Sequence, residues 1–166
     1  MRKTASEHKQ DIIADLVAAR ENLLAIIRQL PPGCLDIPCI GTLNIKDLVA
    51  HLVGWDFTNL QAVQEILAGQ RPSFFQYYDT DWRSYNARLV ETYRKETFDA
   101  MLAEVTVSRQ QLITFLYALP AADILQGKSP KEQGRTVTIR YLLHAEAADE
   151  RKHSVQVDAF RASVIS

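Results

Sequence analysis

The chain has 166 residues, with 19 lysines and arginines against 20 acids and 47% hydrophobic residues. That is the profile of one globular domain and excludes wholesale disorder. The near-zero charge argues against a phosphate-tracking surface, so no nucleic-acid partner is expected, and no apolar run approaches the ~20 residues of a membrane span. Residues 1–10 lack the apolar stretch of a secretory signal, so a cytoplasmic location is expected.

Helical periodicity then dominates. Ile12, Ile13, Leu16, Val17, Leu23, Leu24, Ile27 and Leu30 recur at steps of three and four, a first stripe that stops at Pro31-Pro32-Gly33. The following loop carries Cys34 and Cys39, too few for a disulfide framework and without two further ligands nearby for zinc. They read as loop thiols. A second helix opens at Asn44 as N-cap with Asp47 three residues on and Leu43 placed to staple against Leu48. Its stripe is Ile45, Leu48, Val49, Leu52, Asp56, Asn59, Val63, Ile66 and Leu67, ending at Gly69. Residues 71–79 are aromatic and irregular.

A short helix is expected from Trp82 to Thr92, with Trp82, Tyr85 and Leu89 inward. A long one follows from Phe98 to Leu119, with Phe98, Met101, Leu102, Val105, Leu112, Leu116 and Leu119 on one face, and Pro120 closes it. Gly127 to Gly134 reads as a polar loop, and a last helix runs from Thr138 to about Ala162. No strand pattern competes. The expectation is an all-α, antiparallel four-helix bundle with long connecting loops, a single domain over residues 1–166. Long loops at the end of a rigid bundle are where binding sites are commonly built.

The last helix breaks its own pattern. Projected at 100° per residue, Ile139, Leu142, Leu143, Val157 and Phe160 share a face with Glu146, Asp149, Glu150 and His153, whereas His144 points away. Buried carboxylates must be paired, wet or bound to a cation. Asp149 and His153 are spaced i, i+4, and His51 on the second helix could complete a set of two imidazoles and a carboxylate suited to Zn²⁺, Ni²⁺ or Fe²⁺. The alternative is pairing of the polar cluster with Arg20, Arg28 or Arg109. Glu150 and His153 also match the Glu-x-x-His step of di-iron bundles, but no second such motif is present.

The segment Asn44-Ile-Lys-Asp-Leu-Val-Ala-His51-Leu-Val-Gly-Trp55-Asp56 resembles the second-helix signature of the DinB/YfiT-like superfamily. The likeness continues through Asp81-Trp-Arg-Ser-Tyr-Asn86, the helix from Phe98 to Leu119, and Asp149-Glu-Arg-Lys-His153-Ser-Val-Gln156-Val157. It implies a divalent metal held by one histidine of the second helix and two of the last. Carried over, the ligands are His51, Asp149 and His153. Asp149 stands where the family has a histidine, so either a carboxylate completes the site or the site has lost its metal. The resemblance further implies a small-molecule enzyme acting on an electrophilic metabolite, either a transferase using a low-molecular-weight thiol or a hydrolase. Glu146 or Glu150 would be the catalytic carboxylate. Trp55, Tyr78, Trp82 and Tyr85 would line an apolar pocket, and a homodimer paired through an exposed helix face is expected. The competing expectation is a metal-free binding or resistance protein whose polar cluster is structural.

Overall fold

Each long helix begins where a side chain caps it. The computed structural model describes residues 3–77 and 81–165. Thr4 and Glu7 form a reciprocal capping box at the start of α1 (Ala5–Ile27), and Asn44 and Asp47 form the expected one at α2 (Ile45–Leu67). Asp81 caps α3 (Trp82–Tyr93) and Thr97 caps α4 (Phe98–Ala118), each accepting a backbone N–H three residues on. The Thr138 hydroxyl accepts the Tyr141 N–H at the head of α6 (Ile139–Ile165). Gly69, at φ +73°, ends α2: its N–H reaches Ile66 and the Gln70 N–H reaches Glu65, a Schellman closure only cheap for glycine.

One element escaped the sequence pattern. Pro120 closes α4 as expected, but it also opens a six-residue helix, α5 (Ala121–Gln126), whose Ile124 is fully buried. A proline marks a first helical turn as readily as an end, so the residue alone does not decide. Leu67, counted in the α2 stripe, is exposed.

The bundle core is two apolar clusters stacked end to end. One takes Ile12 to Ala19 of α1, Ala62 to Ile66 of α2, Leu112 to Leu116 of α4 and Ile139 to Ala147 of α6. The other takes Leu23 to Ile27, Ile45 to Val53, Met101 and Val105, and Val157. Helices α1 and α6 therefore run parallel, with Arg151 on Asp15 and Arg161 on Gln29, while α2 and α4 run the other way. This specifies the expected bundle further: two parallel pairs oppose each other. Returning the chain from the end of α2 to the start of α4 requires the long crossover that contains α3.

Helix α3 has no fully buried residue and lies against α2. The approach is close at Gly54, where an added Cβ would stand 2.7 Å from Leu89 Cβ. Tyr93 stacks on Phe57, and the Tyr85 hydroxyl meets Thr58 Oγ1 at 2.7 Å. No helix among the described residues is long and apolar enough to cross a membrane. Gly54→Ala should push α3 off α2 and lower stability by about 1–3 kcal/mol, the usual cost of overpacking, read by urea unfolding.

Candidate functional site

The two apolar clusters are separated by a buried ionic layer to which all four long helices contribute. Arg20 of α1 grips Asp56 of α2 with both terminal nitrogens, at 3.0 and 3.2 Å, and donates to Glu150 of α6 at 2.7 Å. Arg109 of α4 reaches Asp56 at 3.0 Å and Glu146 at 3.3 Å, and also donates to Glu150. Ser108 Oγ donates to Asp56 and Asn59 Nδ2 to Glu146. Burial opposes the charge on Arg20, but Asp56 and Glu150 hold its guanidinium above its ordinary pKa. Burial also pushes Glu146 up, reinforced by the Glu150 charge, whereas the two arginines overcome burial and hold Glu150 down. With Glu146 neutral, two guanidinium groups face two carboxylates and the layer carries no net charge. Asp56, Glu146 and Glu150 are close enough to hold a metal, but the arginines already supply the cations.

Arg20 and Arg109, offered by the sequence as alternative partners of the polar cluster, are thus its partners, while Arg28 is exposed. Asp56 and Asn59, read from the sequence as members of the α2 stripe, are the α2 side chains of the layer.

His51, Asp149 and His153 form a second cluster. One ligand atom from each lies within 4.8 Å of the others, and the two imidazole centroids are 5.6 Å apart. His51 is buried, and burial lowers its pKa to about 4, so its ring is neutral at neutral pH. His153 Nδ1 meets Gln156 Oε1 at 3.0 Å; since the amide oxygen only accepts, Nδ1 carries the proton of the neutral ring and Nε2 keeps its lone pair. That Nε2 stands 3.1 Å from Asp149 Oδ2 without hydrogen-bond geometry, and His51 Nδ1 is buried with no partner. An orphaned His51 nitrogen, with His153 Nε2 and the Asp149 carboxylate paired close beside it, makes a donor set that fits a divalent ion. Burial pulls the His153 pKa down, but Asp149 outweighs it and the net shift is upward; Asp149 is held down in return.

A cavity of about 270 Å³ opens onto this cluster, lined by His51 and Asp149 at one end and by Asn59 and Glu146 of the ionic layer. Trp55, Phe74 and Trp82 form its wall, their centroids 5.5–5.9 Å apart. Glu150 does not line it. Tyr85 packs against Trp55, and Tyr78 lies outside the described residues. Phe74, Phe75 and Asn86 line the cavity unannounced by the sequence. Phe74 and Phe75 sit in a 3-10 segment (Ser73–Tyr77) with no periodicity to reveal which way they face. Cys34 and Cys39 lie elsewhere, free; burial raises the Cys39 thiol to about 11, leaving it a poor nucleophile.

A family profile described as the DinB superfamily matches residues 15–157. No curated protein sequence matches the chain significantly. A solved structure, "Crystal structure of colibactin self-resistance protein ClbS in complex with a dsDNA", superposes with a TM-score of 0.74 at 14% identity, covering 93% of this chain and 95% of that one. The shared fold corrects the expectation of no nucleic-acid partner: a protein of this fold is crystallised with double-stranded DNA. Total charge is the wrong instrument for that exclusion, because it sums buried and surface groups and is blind to their layout.

The ionic layer predicts opposite behaviour for its two glutamates. Glu150→Gln leaves both arginines short of a buried anion and should cost about 3–5 kcal/mol at pH 7. Glu146, with its folded pKa raised, contributes stability that is complete below its unfolded value of 4.5 and is lost as pH rises toward the folded value. Glu146→Gln removes that loss, so it should match wild type near pH 4.5 and exceed it increasingly toward pH 7, by at most ~1.4 kcal/mol per pH unit. Urea unfolding across that range measures both; a constant offset for Glu146→Gln would refute the assignment.

Proposed function

The chain belongs to the DinB superfamily, and from that premise we propose that it is a divalent-metal-dependent enzyme acting on a small electrophilic metabolite, as a thiol-dependent transferase or a hydrolase. The observation that carries the reading is the convergence of the unpartnered His51 Nδ1, His153 Nε2 and the Asp149 carboxylate, their ligand atoms within 4.8 Å of one another beside the cavity. Two imidazoles and one carboxylate suit Fe²⁺, Zn²⁺ or Ni²⁺, with positions left for small molecules. When bound, such an ion supplies Lewis acidity toward water, a low-molecular-weight thiol or the electrophile.

The chain's own groups have separable tasks. Burial keeps His51 neutral and so able to ligate. Gln156 accepts from His153 Nδ1, fixing the ring and aiming Nε2 toward Asp149. Glu146, at the cavity wall and held toward its protonated form by burial and the Glu150 charge, is placed to give a proton and to take it back, which restores the neutrality of the layer. Glu150, bound by both arginines and away from the cavity, positions rather than reacts. The aromatic wall gives the reacting centre a flat apolar side.

A second reading is favoured by the engagement of Glu146 and Glu150 with Arg109 and Arg20: a metal-free binding or resistance protein in which these carboxylates are structural. Through its fold neighbour that reading takes in duplex DNA as a ligand. Untagged protein analysed for metals separates the two. The enzyme reading expects about one Zn²⁺, Ni²⁺ or Fe²⁺ per chain, abolished by His51→Ala or His153→Ala, and released in acid because protons compete with the ion for the imidazole nitrogens. Wild-type protein that takes up none of the three ions, yet shifts a DNA duplex in a gel with a steep salt dependence, would establish the second reading instead.

A further inference from the structure

Asn86, in the middle of α3, contributes to the cavity from outside the four-helix core. Its amide orientation is settled by chemistry: the Trp55 indole N–H can only donate, and it meets Asn86 Oδ1 at 3.1 Å. The oxygen is therefore committed, and the Nδ2 group has no hydrogen-bond partner among the described residues. Half-buried at the cavity lining, Asn86 has two N–H donors to offer and nothing that accepts. The position is held firmly, since α3 is seated by the Gly54–Leu89 approach and the Thr58–Tyr85 contact.

The rest of the lining narrows what such a donor would meet. Trp55, Phe74 and Trp82 present flat apolar surface, and a cavity of about 270 Å³ admits one or two rings. Without a metal ion, no lysine or arginine among the described residues lines it and the Asp149 carboxylate does, so an anion has no counter-charge in the metal-free pocket. We infer that the pocket takes a flat aromatic compound that bears a carbonyl-type oxygen and no negative charge, and that Asn86 is the residue that selects that oxygen. The inference rests on the cavity being the ligand site of the proposed enzyme, but not on its metal.

Binding is followed in EDTA by ¹H–¹⁵N spectra of the full chain. Both tryptophans of the chain line the cavity, so their two indole N–H signals report on it directly. The probes are 2-acetylnaphthalene and its oxygen-free counterpart 2-ethylnaphthalene. Asn86→Asp keeps an acceptor for Trp55 but removes the donors. It should weaken 2-acetylnaphthalene about tenfold, the effect of one lost hydrogen bond, and leave 2-ethylnaphthalene within about twofold. An equal change for both probes, or none for either, overturns the role of Asn86. Tighter binding of 2-naphthoate or of 2-naphthyltrimethylammonium, or no binding of any probe, overturns the ligand class. Should Asn86→Asp not fold, as its spectrum would show, Asn86→Ala carries the same comparison. Because EDTA is present throughout, failure here is separate from failure of the metal analysis.

Discussion

Everything in this bundle is arranged around two arginines buried at its waist. Removing a guanidinium from water costs several kcal/mol unless anions meet it in good geometry. Arg20 and Arg109 come from α1 and α4, and their anions from α2 and α6, so the layer is complete only when all four long helices are in register. A slip of one helical turn in any of them would leave a charge unpaired. The apolar clusters above and below tolerate small shifts; the layer does not. Stability comes mainly from the clusters, and alignment from the layer.

That alignment is what places the second cluster. On α6, Glu146 and Glu150 form one row and Asp149 and His153 another, each at i, i+4. Three residues of α-helix turn through about 300°, so the rows stand roughly 60° apart. Fixing the first row onto the arginines turns the second toward His51 on α2. Asn59 ties the two systems together, since it donates to Glu146 and lines the cavity beside it. The ionic layer and the imidazole cluster are thus adjacent faces of one helix, and the pocket lies over both.

The 60° offset also marks how far the sequence could be read. Helix starts were legible because Asn44 with Asp47 is a capping signal with a mechanism, and α2 begins where it says. Polar residues inside the last helix's apolar stripe were legible as anomalies, Glu146, Asp149, Glu150 and His153, whereas Asp56 and Asn59 read as plain members of the α2 stripe. Sequence periodicity merges neighbouring rows into one face; the i, i+4 spacing of Asp149 and His153 and the family resemblance singled out the set with His51, whereas the arginine partners of Glu146 and Glu150 stayed one option among several. Nor could it find Asn86, whose importance depends on an indole N–H thirty-one positions earlier. The aromatic wall had the same fate, because Phe74 and Phe75 lie in a segment whose direction only the tertiary structure decides.

The charge balance takes on a different meaning once burial is known. Three of the 20 acids and two of the 19 bases sit in the layer, and setting these five aside leaves positive and negative side chains equal in number. The formal excess of one acid is therefore located inside the bundle, not on its surface. It is removed there by the proton that burial and Glu150 hold on Glu146. A near-neutral total thus arises from a compensated interior and a mixed exterior, two facts with separate consequences. The interior aligns the helices and leaves one carboxyl protonated at a pocket wall. The exterior is balanced in number, and that number alone says nothing of how its charges are laid out over the surface.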